Sequence, residues 1–163
     1  MNIEEVYKSA DKIILKHLML NDDAMKTLQS LGYNGFKRMH RVNTRCLLEK
    51  HIELENNMFD KYRKVLNVNV DFKSYKPINI KSHLESWMQT LDEDIKLIGN
   101  LNYMHMQLVG VSNSTIEDVL KQFLYDYEKV CRWYERFNET NWNPVEMHIV
   151  DDALHEKIKK YEE

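Results

Sequence analysis

Four glycines and two prolines in 163 residues leave few turn residues and few helix interruptions, so a many-stranded β architecture is a poor expectation. Cysteine is nearly absent too. Cys46 and Cys131 cannot build a disulfide framework, no C-x-x-C pair exists for zinc, and both sit in helical patterns as small apolar residues. No apolar run approaches the ~20 residues that a membrane-spanning helix needs. The start, Met1-Asn2-Ile3-Glu4-Glu5, is acidic and carries no hydrophobic signal region, which leads us to expect a cytoplasmic protein without a membrane role. Neither sign of charge dominates: the formal net charge is −3, which gives no general support for nucleic-acid binding. Phosphate-loop, nucleotide-binding glycine and nucleophile-elbow motifs are also missing.

What is present is helical periodicity. Residues 2–30 carry Val6, Ala10, Ile13, His17, Leu20, Ala24 and then Leu28 or Leu31 at steps of three and four, which places them on one helical face. Gly32 to Gly35 interrupt that pattern. Residues 36–66 continue it with Phe36, Met39, Leu47, Leu54, Met58, Tyr62 and Val65. Residues 67–79 change character: Val68, Val70 and Phe72 alternate with polar residues and Pro77 forbids a helix interior, so an extended crossover containing a short strand is expected. A third segment, residues 80–109, uses Leu84, Met88, Leu91, Ile95, Ile98, Asn102 and His105. After a break at Gly110, a fourth carries Ile116, Leu120, Phe123, Tyr127, Val130, Tyr134 and Phe137. Asn143-Pro144 reads as a cap and first-turn proline opening a short fifth helix with Val145, Ile149, Ala153 and Ile158 inward. Four long amphipathic segments must bury their stripes against one another, so the expectation is an all-α, single-domain, up-down four-helix bundle over residues 1–163.

Two hairpins joined by a long crossover, with a short fifth helix, resemble the ferritin-like superfamily in layout. Gly32-Tyr33-Asn34-Gly35-Phe36 followed by Met39-His40 is loosely similar to the first-to-second-helix region of miniferritins. The resemblance implies iron chemistry, but its di-iron motif is not intact. Such a site draws carboxylates from all four helices and two Glu-x-x-His pairs, and this chain contains no Glu-x-x-His. If His40 is aligned with the early second-helix histidine of miniferritins, Glu49 falls near the family's Glu, yet the residue four before it is the cation Arg45. A non-standard iron or manganese site would use His17, Glu49, His51 and His105. Asp94 and Asp126, flanking the inward stripes, could rotate in to help. Asp152 and His155 also have one-turn spacing, but as a solvated pair near a charged end.

Two surface features remain. Lys37, Arg41 and Arg45 form an i, i+4, i+8 stripe with Arg38 beside it, suited to phosphate or nucleic acid, or simply to solvent and neighbouring acids. Tyr125, Trp133 and Trp142 are not all accommodated on the buried stripe of the fourth segment, and they suit either interface anchors or the packing of the fifth helix against the fourth. With no catalytic motif, the reading that wins is a non-enzymatic interaction protein, self-associating or gripping a protein partner, with no cofactor. Its style suits an accessory or host-modulating factor of a bacterial mobile element. Divalent-metal binding or ferroxidase activity, and anion binding through the basic stripe, are the alternatives.

Overall fold

The computed structural model describes the backbone of residues 1–162 and the side chains of residues 1–157. It is all-helical, with no strand among the described residues. Helix α1 spans Ile3–Leu31, α2 Asn34–Tyr62, α3 Ile80–Val109, α4 Ser114–Glu139 and α5 Pro144–Glu162.

Each boundary has a local cause. The Asn2 side chain accepts from the Glu5 amide at 2.9 Å to start α1, with Glu4 and Glu5 complementing the positive helix end. Gly32, at φ 84°, ends it in the left-handed region and returns the Tyr33 amide to the Leu28 carbonyl at 2.9 Å. Helix α2 has no cap from its own preceding side chain. Its first amides are instead met by α5: Gly35 and Phe36 each donate to the Asp151 carboxylate at 3.0 Å. Asn79 and Ser82 form a reciprocal capping box for α3, and Asn113 accepts from the Ile116 amide to start α4.

Helix α1 packs on α2 and α3, α4 on α3 and α2, and α5 on α2. Residue pairing shows that α1 and α3, and likewise α2 and α4, run antiparallel. On α1 and α3, His17 meets Asp94 while Tyr7 meets His105. On α2 and α4, Phe36 meets Trp133 and Phe137 while Asn43 meets Asp126. One continuous core draws on all five helices, from Ile14 and Leu28 through Leu54 and Leu84 to Phe123 and Leu154.

The differences from the sequence expectation are rotations and an early stop. Helix α2 ends at Tyr62, where Arg63 adopts φ 54°, so Val65 is exposed instead of completing the stripe. The crossover forms no strand, because an extended segment needs a hydrogen-bonding partner. Its Leu66, Val68, Phe72 and Tyr75 pack against the core. In α3 the buried line runs through Trp87, Asp94 and Leu101 instead of Met88, Ile95 and Asn102, which are half-buried. In α4 it runs through Val119, Asp126 and Trp133, with Leu120, Tyr127 and Tyr134 half-buried. Each shift is one residue, about 100° of helix rotation. In α5 the inward residues are Met147, Asp151 and Leu154; Val145, Ile149 and Ala153 are exposed, and Ile158 lies outside the described side chains.

Candidate functional site

Those rotations put a polar layer inside the protein. His17, Asn21, His40, Asn43, His83, Asp94 and Asp126 are all buried around Trp87. Four helices and the crossover contribute.

The proton positions in one branch follow from a single fixed acceptor. A backbone carbonyl can only accept, so the Asn21 atom 2.7 Å from the His17 carbonyl is the amide nitrogen. The other amide atom, facing His40 Nδ1 at 2.9 Å, is therefore oxygen, and His40 Nδ1 carries the hydrogen. Burial pushes His40 well below the ordinary histidine range and His83 down to about 4, so both rings are neutral near pH 7. His40 Nε2 is then an acceptor and receives the hydrogen of His83 Nε2 across 2.9 Å. His83 Nδ1 must accept in turn, from the Tyr75 hydroxyl at 2.7 Å. Ser86 lies 3.1 Å from the same hydroxyl oxygen. The result is a directed relay from the crossover through α3 and α2 to α1. Burial holds the Tyr75 phenol up at about 12, so it stays a donor.

A second branch is built on carboxyl groups. Asp126 Oδ2 accepts from Trp87 Nε1 at 3.1 Å and Asn43 Nδ2 at 3.2 Å, while Oδ1 is buried without a hydrogen-bond partner. Burial pushes this carboxyl up. Asp94 differs. Burial raises it, but the hydrogen bond from His17, at 2.6 Å, and the charges of His17 and Lys16 outweigh that and hold it below the carboxylate range. The Trp87 ring closes the layer, lying edge-on to His40 at 4.6 Å between ring centres. Chemically, the relay can hold neutral histidines in defined tautomers and tie the crossover to three helices.

The six candidate metal ligands do not form one centre. His17 and Asp94 pair with each other. His51 sits between Asp11 at 2.5 Å and Glu55 at 2.6 Å on the α1–α2 face, and Glu49 is exposed. His105 donates through Nδ1 to the Val111 carbonyl at 2.7 Å and rests beside Tyr7. Tyr7 and His17 are ten residues apart on α1, about 15 Å along the axis, so His17 and His105 do not approach each other. Among the described residues no three or more His, Cys, Asp or Glu side chains gather in a way that could hold a metal ion.

Of the basic stripe, Lys37, Arg38 and Arg41 line a shallow depression with His155 of α5, and Arg45 points to solvent further along. Of the three aromatic residues expected as anchors, Trp133 is 8% exposed and packs against Phe36 and Phe137, so it belongs to the core. Trp142 is half-buried against Tyr134 and Phe137. Tyr125 alone of the three is open, at 62%.

Sequence reasoning passed over His83, Tyr75, Trp87, Asn21 and Asn43. The available signal was spacing: Asn21 follows His17 by four and Asn43 follows His40 by three, each pair on one helical face.

A different surface carries an apolar opening. Between α1 and α3 runs a groove of ≈ 420 Å³, lined by Ile13, Leu97, Leu101 and Met104 together with Met1. Lys12 and Lys16 stand on its rim. Lys16 pairs with Asp94, whereas Lys12 has no ion-pair partner among the described residues. No protein-family model and no curated protein matches the chain.

Proposed function

We propose that this chain is a non-enzymatic interaction protein whose docking surface is the α1–α3 groove. Its occupant is an amphipathic helix of a protein partner with an acidic flank. One observation carries the reading: Leu97, Leu101, Met104 and Leu108 recur at i, i+4, i+7 and i+11 along α3, and all but Leu101 are substantially exposed. An apolar stripe of that period is what a helix in a groove requires, with anchors at matching spacing on the partner. Leu97, 52% exposed, and its neighbours would be covered on binding. The rim carries two lysines against one carboxylate, and the surplus cation Lys12 favours an acidic flank.

The same proposal extends to architecture and location. The hairpins α1–α2 and α3–α4, packed antiparallel through α1–α3 and α2–α4 and linked by residues 63–79, support a four-helix bundle of ferritin-like layout. A cytoplasmic place of action is supported by the two free, half-buried thiols.

A labelled model helix with leucines at i, i+3, i+4 and i+7 and glutamates on its flank tests the groove. We expect saturable binding that falls about ten-fold or more in Leu97→Asp and Met104→Asp, and weaker binding of the same helix flanked by lysines. Binding indifferent to both variants, or no binding, would overturn the proposal. Light scattering across a concentration series separates the other occupant: a dimer abolished by Leu97→Asp would assign the groove to a second copy of this chain.

A further inference from the structure

We infer that the cleft between α4 and α5 binds a small phosphate-bearing molecule. This rests on a different face from the groove and does not depend on it.

Tyr125, Lys129, Arg132 and Arg136 fall at i, i+4, i+7 and i+11, so one face of α4 lines up three cations below an exposed ring. Lys157 adds a fourth cation from α5 across the cleft. Trp133 and Leu154 form the apolar floor. The space is ≈ 200 Å³, and among the described residues no acidic side chain lines it. Two of the cations are already oriented by aromatic faces: the Lys129 ammonium lies 4.8 Å from the Tyr125 ring centre and the Arg136 guanidinium 4.9 Å from that of Trp133. Arg132 has Glu128, one turn back on α4, as its partner. Lys129, Arg136 and Lys157 have no ion-pair partner among the described residues. Asp126 acts on Lys129 only through space, its carboxyl being engaged by Trp87 and Asn43.

Like charges three and four residues apart on a helix repel, and among the described residues only Glu128, which pairs with Arg132 from outside the lining, offsets them. In a chain of net charge −3 this convergence is not a consequence of composition. A bound anion would relieve the repulsion. Two guanidinium forks with two ammonium groups suit a multiply charged oxyanion better than a single carboxylate, because planar forks match paired phosphate oxygens. Size then limits the ligand. Pockets for drug-sized molecules run from about 300 Å³ upward, so this cleft suits a phosphate or diphosphate with a small body. The open ring of Tyr125 offers that body a face to pack on.

The test uses inorganic pyrophosphate as probe, with sodium chloride of equal ionic strength as reference, read by titration calorimetry and by phosphorus NMR line width. We expect saturable binding of one pyrophosphate per chain and a loss of affinity of at least ten-fold in the Arg132→Gln, Arg136→Gln double variant. Lys157→Gln should weaken binding several-fold, and Lys96→Gln, a surface change elsewhere, should leave it unaltered. Arg136→Lys keeps the charge but loses the fork; an intermediate affinity supports the fork argument even where the double variant folds poorly. Pyrophosphate binding no stronger than the chloride effect, or equal binding by all variants, would overturn the assignment. A single-stranded oligonucleotide that binds more tightly than pyrophosphate would overturn the small-ligand class and point to nucleic acid.

Discussion

His40 and His83 face each other Nε2 to Nε2 at 2.9 Å, a contact that only one hydrogen can occupy. If both rings were protonated, two N–H groups would collide there, between two rings that are fully buried. The pair therefore makes the protein's interior sensitive to acid, and it does so through residues on two different helices.

Stability should fall as pH drops through the window between the unfolded and folded histidine values. The folded value of His83 is depressed to about 4, below the ordinary 6.5, so the fold favours the neutral ring. Its contribution is complete above about 6.5 and is lost progressively toward 4. A gap of roughly 2.5 units corresponds to about 3 kcal/mol from His83. Asp11, Asp126 and Asp151, whose carboxyls burial raises, act oppositely: each gains stability on protonation and offsets part of the loss. Urea unfolding at half-unit intervals from pH 7.5 to 4.5 checks this. His83→Gln, which cannot protonate, should flatten the slope; an unchanged slope would remove His83 as its source.

Tyr75 should matter more than a half-buried crossover residue ordinarily does. Its hydroxyl is the donor that satisfies His83 Nδ1, and its amide donates to Asp23 at 2.8 Å. Tyr75→Phe keeps the ring but orphans a buried acceptor, at a cost of about 1–3 kcal/mol. Hydrogen exchange should quicken along residues 63–79, where a backbone without helix or strand has few other anchors. Equal protection in the two proteins would show that the crossover is held by its apolar residues and the Tyr75 amide without help from the hydroxyl.

These residues also mark where sequence reading stops. The helices were legible because apolar steps of three and four over about thirty residues leave little choice of period, and Gly32, Asn79, Gly110 and Asn113 punctuate them visibly. Pro77 and the alternation of Val68 and Phe72 marked a segment that is not helical, but whether a partner strand exists depends on other parts of the fold. The rotational phase was harder. Choosing Met88 over Trp87, or Tyr127 over Asp126, follows hydrophobicity, whereas the structure buries polar groups because each finds a partner on another helix. A lone Asp126 reads as surface. With Trp87 and Asn43 beside it, it can be interior. That pairing is long-range, and no periodicity along one helix contains it. For the same reason Trp133 read as a spare ring until Phe36 was placed against it.

Asp151 should behave as a helix cap delivered from a distant part of the chain. Its carboxylate receives the Gly35 and Phe36 amides at the start of α2, so it supplies both hydrogen bonds and a negative charge to a positive helix end. Asp151→Ala should cost about 1–2 kcal/mol, in line with the loss of a good N-cap. Asp151→Asn keeps part of the hydrogen bonding but not the charge and should cost less. Thermal melts rank the two; a helix α5 that merely packs by Met147 and Leu154 would predict no difference between them.

Two glycines give a contrasted pair with opposite signs. A Cβ on Gly35 would lie 2.2 Å from the Asp151 carbonyl oxygen, which is backbone and cannot step aside without moving α5. Gly35→Ala should therefore destabilise by at least the 1–3 kcal/mol of ordinary overpacking, roughly, and should loosen α5 along with the start of α2. Gly99 lies within α3, where a Cβ would meet nothing within 4 Å. There alanine only restricts the unfolded chain and favours helix, so Gly99→Ala should stabilise by about 0.8–1 kcal/mol. Denaturant midpoints measured side by side check both. A neutral Gly35→Ala would mean that α5 does not approach the start of α2 as closely as Asp151 requires, and the cap would fall with it.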